Sequence, residues 1–302
     1  MTRRRFSPFT LIAQAARDFV GDDVLTLAAA LTFATLLSFA PLLILALRLT
    51  TALGFAAQDA IADQVGAIAG PGARDAAVAV LDSAGSNSGT FADLIGAVLA
   101  LIGATTVLAQ LQTSLNDIWH VPPRKANALG GWLRHRVLTI GLLPALAFVA
   151  ASSLLISASL GNVLDKTGAL WELLNQLVSL LVFGALFALL FRYLADARLA
   201  WRHAFGGGAA TSVLFTIGKA LIGLYLAHGS IGNAYGAAGS LVLLLVWVYY
   251  SSAIFFFGAE LVKAWCLQHG RAPGEAIAQG PKPPGTKPAH PPRGATHAAG
   301  AR

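Results

Sequence analysis

The sequence predicts an all-α, polytopic membrane protein with six transmembrane helices, both termini in the cytoplasm, and an interfacial N-terminal helix ahead of the first span. Three observations predict it. Six stretches are long, apolar and almost free of charge; 56% of the residues are hydrophobic against 12% charged; and Lys and Arg fall almost entirely in every second gap between the stretches. An α-helix needs about 20 apolar residues to cross roughly 30 Å of hydrocarbon. A soluble domain would need about twice this share of charge to cover itself against water.

The elements follow in chain order. Residues 1–28 form a cytoplasmic amphipathic segment: Ile12, Ala15, Ala16 and Phe19 recur at helical spacing, as in a helix lying in the membrane interface. A signal peptide is the alternative, since Arg3, Arg4 and Arg5 resemble its positive region. However, Arg17, Asp18, Asp22 and Asp23 interrupt the apolar core that cleavage requires, and the N-terminus is expected to be retained. Residues 29–265 form the transmembrane domain, with spans at about 29–51, 94–116, 137–160, 173–192, 204–227 and 238–261. The long connection 52–93 carries Asp59, Asp63, Asp75, Asp82 and Asp93 against Arg74 alone. Within it, Ala60–Ile68 and Ala73–Leu81 read as short amphipathic helices separated by Gly70-Pro71-Gly72. Residues 266–302 turn to Pro, Gly, Ala and Lys, a composition that buries too little apolar surface to offset its ordering entropy, so a disordered basic cytoplasmic tail is expected.

Orientation follows from charge. Segments 1–28, 117–136, 192–203 and 261–302 hold seventeen Lys and Arg, while 52–93, 161–172 and 228–238 hold two. The positive-inside rule therefore puts both termini in the cytoplasm and the acidic segment 52–93 outside. The net charge of +7 reports topology, because the basic residues are distributed by membrane side and form no nucleic-acid surface. The single cysteine, Cys266, excludes an internal disulfide and a multi-cysteine metal site. The expected partners are the lipid bilayer and anionic lipid headgroups, with no nucleic acid, no cofactor and no metal.

Lys219 places a full charge inside the fifth span, about 22 Å from its cytoplasmic entry if that helix begins near Ala204. Gly208, Ser212, Thr216, Lys219 and Gly223 follow steps of four and three, a small and polar face expected to point into the bundle. An embedded ionisable group suggests a substrate or ion pathway. Snorkelling to the outer headgroups, or pairing with Glu172, is the structural alternative. Pro41 sits near the middle of the first span, removes a backbone donor and frees the carbonyl of Leu37, so a kink is expected there. Thr32, Thr35 and Ser38 stand ready to bond freed backbone groups, and a broken helix at the midplane is one way transporters build binding sites. The hypothetical substrate pathway comprises Lys219, Pro41, Ser38, Thr35, Ser212 and Thr216.

Glu260 lies three residues before Lys263, within reach of an intrahelical ion pair. An anchor at the inner interface and a coupling-proton carboxylate are its two readings. Gly232 and Gly236, and Gly206-Gly207-Gly208, permit close approach of helix backbones. Trp247, Tyr249 and Tyr250 lie inside the sixth span and read as bundle-facing aromatics. The seven His residues are scattered, with no metal spacing and no Gly-rich phosphate loop, so no catalytic residue is assigned and an enzyme is not expected.

Three motifs carry a family likeness: TLLSFAP at Thr35–Pro41, SLNDIW at Ser114–Trp119, and AYGAAGSLVLLLVWVYYSSAIFFFGAEL in the segment from Tyr225 through Ala264. They resemble the YihY/BrkB family of six-span bacterial inner-membrane proteins over about residues 10–265. The resemblance implies Ser38, Pro41, Asn116, Trp119, Tyr235, Gly236, Trp247, Tyr249, Gly258 and Glu260 as characteristic positions, with no catalytic assignment. Ala34 stands where the family usually carries an aromatic. Members are described as envelope or serum-resistance factors and as transporters, and were once labelled a tRNA-processing ribonuclease, a name regarded as misassigned. The expected function is transport or export of a small solute or lipid-like molecule, with an envelope-organising structural protein as the alternative and a membrane-associated ribonuclease as a third.

Overall fold

A computed structural model describes residues 8–52, 58–85, 90–122, 169–197, 199–228 and 239–269. These residues form eight α-helices and no strand: α1 Pro8–Gly21, α2 Val24–Ala52, α3 Gln58–Ala69, α4 Pro71–Gly85, α5 Thr90–Ile118, α6 Ala169–Tyr193, α7 Trp201–His228 and α8 Gly239–Gln268. Among the described residues, four stretches are long and apolar enough to cross a membrane: Val24–Ile44, Gln176–Tyr193, Trp201–Ile222 and Gly239–Gln268. The 29-residue α5 covers the second predicted span. The third, at 137–160, and the tail beyond 269 lie outside the described residues.

α8 is the hub. It packs against α1, α2, α4, α5 and α7, while α2 pairs with α5 and α6 with α7. Its core is a run of rings. Phe183 meets Phe215 at 5.0 Å between centroids, Phe215 meets Phe187 at 5.7 Å, and Phe187 meets Phe255 at 5.6 Å. Phe191 then stacks on Phe255 at 5.0 Å and touches the fully buried Trp119 at 6.0 Å. Large apolar side chains such as Phe33, Leu37, Leu181, Ile217 and Leu241 remain exposed on the flanks, a surface that hydrocarbon solvates and water does not.

Small residues set the helix spacing. A Cβ on Gly208 of α7 would run into the Gly184 carbonyl and the Ala188 backbone of α6. One on Gly258 of α8 would strike the Thr211 side chain. Such glycines let backbones close to a distance where dispersion and weak polar contacts hold helices together in lipid.

Pro41 sits inside a continuous α2. The hydroxyls of Thr32, Thr35 and Ser38 donate to the carbonyls of Ala28, Leu31 and Ala34 at 2.7–2.8 Å, each four residues back. Of these acceptors Ala34 lies about one turn below Leu37, whose carbonyl Pro41 frees, and Leu31 and Ala28 lie farther down, so none of the three hydroxyls bonds the freed group. α3 and α4 form a hairpin turned at Gly70, whose φ of 87° only glycine adopts without strain. Arg74 Nε donates to Asp63 Oδ1 at 2.8 Å across the hairpin. Its inner face packs Ala73 on Leu244 and Val248 of α8, and Ala62, Ala77 and Leu81 on Leu43 of α2.

Candidate functional site

A buried charge cluster forms where α1 turns into α2, beside the C-terminal half of α8 and the end of α5. The turn is built by Gly21-Asp22-Asp23: the Asp22 amide donates to the Asp18 carbonyl at 2.8 Å, and Asp23 takes a φ of 49°, left-handed geometry that a short acid tolerates. This directs Asp22 at Lys263 of α8, whose ammonium donates to Asp22 Oδ2. The same ammonium lies 3.2 Å from Glu260 Oε2. Glu260 is fully buried, and neither of its carboxylate oxygens has a hydrogen-bond partner, so the 3.2 Å contact is an ion pair without hydrogen-bond alignment.

α5 supplies the second wall. Its C-terminus closes with the Val121 amide on the Asn116 carbonyl at 2.9 Å and the His120 amide on the Asp117 carbonyl at 3.1 Å. That is the double bond of a Schellman cap, with His120 in the left-handed position that glycine usually fills, φ 52°. The cap sets His120 Nε2 3.7 Å from Asp22 Oδ1. One residue earlier, the Trp119 indole donates to the Ala259 carbonyl at 3.0 Å. Among the described residues, Asp23 and His120 are the only non-glycine positions with positive φ, and both border this cluster. Strained backbone of this kind concentrates at functional sites.

A polar clamp locks the same end. The Asn116 amide donates to Asp196 Oδ2 at 3.1 Å, while the Asp196 backbone amide donates to Asn116 Oδ1 at 3.0 Å. Gln112 adds a bond to Asp196 at 3.3 Å. Arg192 donates to the Leu199 carbonyl and lies 5.5 Å from the Trp201 ring centre, holding the connection between α6 and α7.

The expected pathway residues are not gathered in this way. Gly208 and Ser212 are buried, Thr216 is half-buried and Lys219 is exposed. The buried stripe of α7 runs through Ala204, Thr211, Phe215, Gly218 and Ile222, about a quarter-turn from the expected polar face at 100° per residue. α6 covers that polar face at Gly208 and Ser212, where Gly184 and Ala188 press against it, but leaves Lys219 outside the contact. Ser38 is buried against Gly103 of α5, and Thr35 and Pro41 are half-buried. An apolar groove of about 290 Å³ opens between α7 and α8, lined by Leu214, Ile217, Leu221, Tyr250, Ile254 and Phe257 among others, and neither Pro41 nor Lys219 lines it. The side chain of Glu172, and Tyr235 and Gly236, lie outside the described residues, as do Gly223's surroundings. Trp247 and Tyr249 are half-buried, with the Trp247 ring 6.2 Å from Phe215.

Residues 15–282 match the family described as Virulence factor BrkB. The chain belongs to that family. It is 33% identical over 179 residues to a UPF0761 membrane protein of Chlorobium chlorochromatii, covering 58% of this chain and 40% of the relative. A UPF0761 membrane protein of Pseudomonas aeruginosa is 36% identical over 172 residues, 56% of this chain and 41% of the relative. One from Teredinibacter turnerae is 30% identical over 170 residues, 56% and 40%. The match thus spans about two fifths of the length of these relatives. No solved structure matches the chain.

Within this BrkB-family chain the described motif residues acquire definite jobs. Asn116 is the clamp on Asp196, Trp119 ties α5 to α8, Gly258 admits Thr211, and Glu260 is the buried acid of the cluster. Reading the sequence missed Asp22, His120, Asp196 and Gln112 as their partners. The one local signal was the acidic pair Asp22-Asp23 immediately ahead of an uncharged span.

Proposed function

We propose that this BrkB-family protein is a six-span inner-membrane protein with both termini in the cytoplasm, which moves a small solute or lipid-like molecule and is not an enzyme. The observation that carries the reading is Glu260: an acid with no exposed surface, 3.2 Å from a membrane-helix lysine that it must share with Asp22. Ionisable groups in membrane helices are expensive and mark pathways or relays more often than anchors. A packing role alone is met better by apolar residues of similar volume.

Charge asymmetry supports the orientation, since Asp22, His120 and Lys263 all lie on segments rich in Lys and Arg. Those same segments would meet anionic headgroups. The acidic hairpin α3–α4 packs near Leu244, toward the other end of α8 from Glu260. Reporter fusions at residue 302 and within 53–57 test the topology: a cytoplasmic signal from the second position would reject it.

The experiment on activity is flux in proteoliposomes, using an NBD-labelled phospholipid and a panel of labelled organic anions. Movement of at least one probe, reduced tenfold or more by Glu260→Gln, is the expected result. A structural role in organising the envelope is the second reading, favoured by the ring-packed core around Phe187 and Phe255. It gains if no probe moves and deletion of residues 55–90 abolishes every cellular phenotype. The ribonuclease label is tested by incubating purified, metal-replete protein with tRNA; cleavage that survives removal of contaminating nuclease would revive it.

A further inference from the structure

We propose that the Asp22–Lys263–Glu260 cluster is a proton-binding site, with Glu260 as the group that takes and releases the proton; this rests on the transport reading above and names its coupling ion. The first argument is charge. Two carboxylates, Asp22 and Glu260, share one ammonium, Lys263, in a pocket where Glu260 is wholly buried and the side chains of Lys263 and Asp22 are 11% and 20% exposed. With all three ionised the cluster is one positive charge short. A buried excess charge is costly, and the least expensive remedy is to bind a cation or a proton.

The second argument is hydrogen bonding. An ionised carboxylate only accepts, and the Lys263 ammonium meets one of Glu260's oxygens at 3.2 Å without hydrogen-bond alignment. A protonated Glu260 gains one O–H donor to turn toward the Asp22 carboxylate, which meets it at the shared ammonium. The bond made is Glu260 O–H, the proton comes from water, and Lys263 keeps its three hydrogens. Losing the proton returns Glu260 to competing with Asp22 for Lys263.

Among the described residues, few titratable groups face Glu260. The α1–α2 turn offers Asp22, and α8 itself offers Lys263. α5 offers His120 through Asp22, and the non-titrating Trp119. α7 presents Thr211 near this stretch, with His203 farther along against Trp265. Asp196 is engaged by Gln112 and Asn116. No group of three His, Cys, Asp or Glu suited to a metal ion occurs among the described residues, which favours a proton over a divalent cation. His120 is largely exposed and lies 3.7 Å from Asp22, on the outer side of the cluster.

The test is infrared difference spectroscopy of the full chain in nanodiscs across a pH series, reading the carbonyl stretch of a protonated carboxyl. A band that disappears as pH rises, and is missing in a folded Glu260→Gln variant, is the expected result. Two further variants separate titration from mere packing. Asp22→Asn leaves Lys263 wholly to Glu260, so the band should vanish about one to three pH units earlier. Lys263→Met removes the cation, so the band should persist to higher pH. A band unchanged in Glu260→Gln, no carboxyl band at any pH, or suppression of the band by sodium but not by choline would overturn the proposal. Because the readout needs no substrate, failure of transport and failure of the proton site are told apart: an intact, Glu260-dependent band without flux for any probe sinks only the transport reading.

Discussion

Replacing Lys263 with Met preserves the length of the apolar stem and removes the one described cation that touches both Asp22 and Glu260. At a pH above the one at which Glu260 gives up its proton in the variant, removing one member of a buried ion pair costs about 3–5 kcal/mol, because the abandoned charge stays buried. The lower end applies here, since Asp22 retains some water contact and His120 at 3.7 Å. A loss of about 3 kcal/mol corresponds to a fall of about 6–12 °C in Tm for a protein of about 150–250 residues and to somewhat less for this 302-residue chain. Adding Glu260→Gln neutralises the buried acid left behind. The double variant should therefore recover about 0.5–3 kcal/mol relative to Lys263→Met alone, a coupling that independent sites do not show. Heating in detergent followed by fluorescence-detected size exclusion measures all three proteins. A double variant no more stable than Lys263→Met, or a single variant within about 0.5 kcal/mol of the parent, would refute the reasoning.

Three other perturbations follow from the geometry. Gly258→Val drives its side chain into Thr211, whose Cγ2 and Cβ stand 2.8 and 2.9 Å from the new Cβ; separation of α7 from α8 should destabilise by about 1–3 kcal/mol or more, visible as a lower melting point. Asn116→Ala removes two bonds to Asp196, at 3.0 and 3.1 Å, and should lower stability by about 1–3 kcal/mol, whereas Asn116→Gln should recover only part of it. Lys219→Met should leave the melting point within about 0.5 kcal/mol of the parent, because Lys219 is exposed, and should reduce flux of anionic probes alone if the residue touches substrate. A large melting loss in that variant would place Lys219 in a structural contact.

The helices were legible because hydrocarbon thickness constrains composition in blocks. The stretch 173–192 lies within the observed Ala169–Tyr193, and 204–227 within Trp201–His228. The observed helices run a few residues longer because polar ends such as Trp201-Arg202-His203 continue the helix past the apolar block. The hairpin breaker was equally plain, since Gly70 takes the φ that only glycine accepts easily. The Glu260–Lys263 pair, three residues apart, was visible as helix geometry. Its third member was not: Asp22 and Lys263 are 241 residues apart, and nothing local announces such a pairing. The Asn116–Asp196 clamp, 80 residues apart, was hidden for the same reason. Lys219 is exposed although Gly208 and Ser212 of the same predicted face are buried, because a periodic stripe names a face without saying which neighbour covers each turn of it.

The placement of α8 bears on biogenesis. This last described helix touches α1, α2, α4, α5 and α7, and it supplies the lysine that fastens the α1–α2 turn. A ribosome delivers these partners first and their common centre last. Earlier segments can pair among themselves, α2 with α5 and α6 with α7, but the α1–α2 turn lacks its lysine until residue 263 emerges. Chains interrupted before that point leave Asp22 with His120 of α5 but without the ammonium that fastens it.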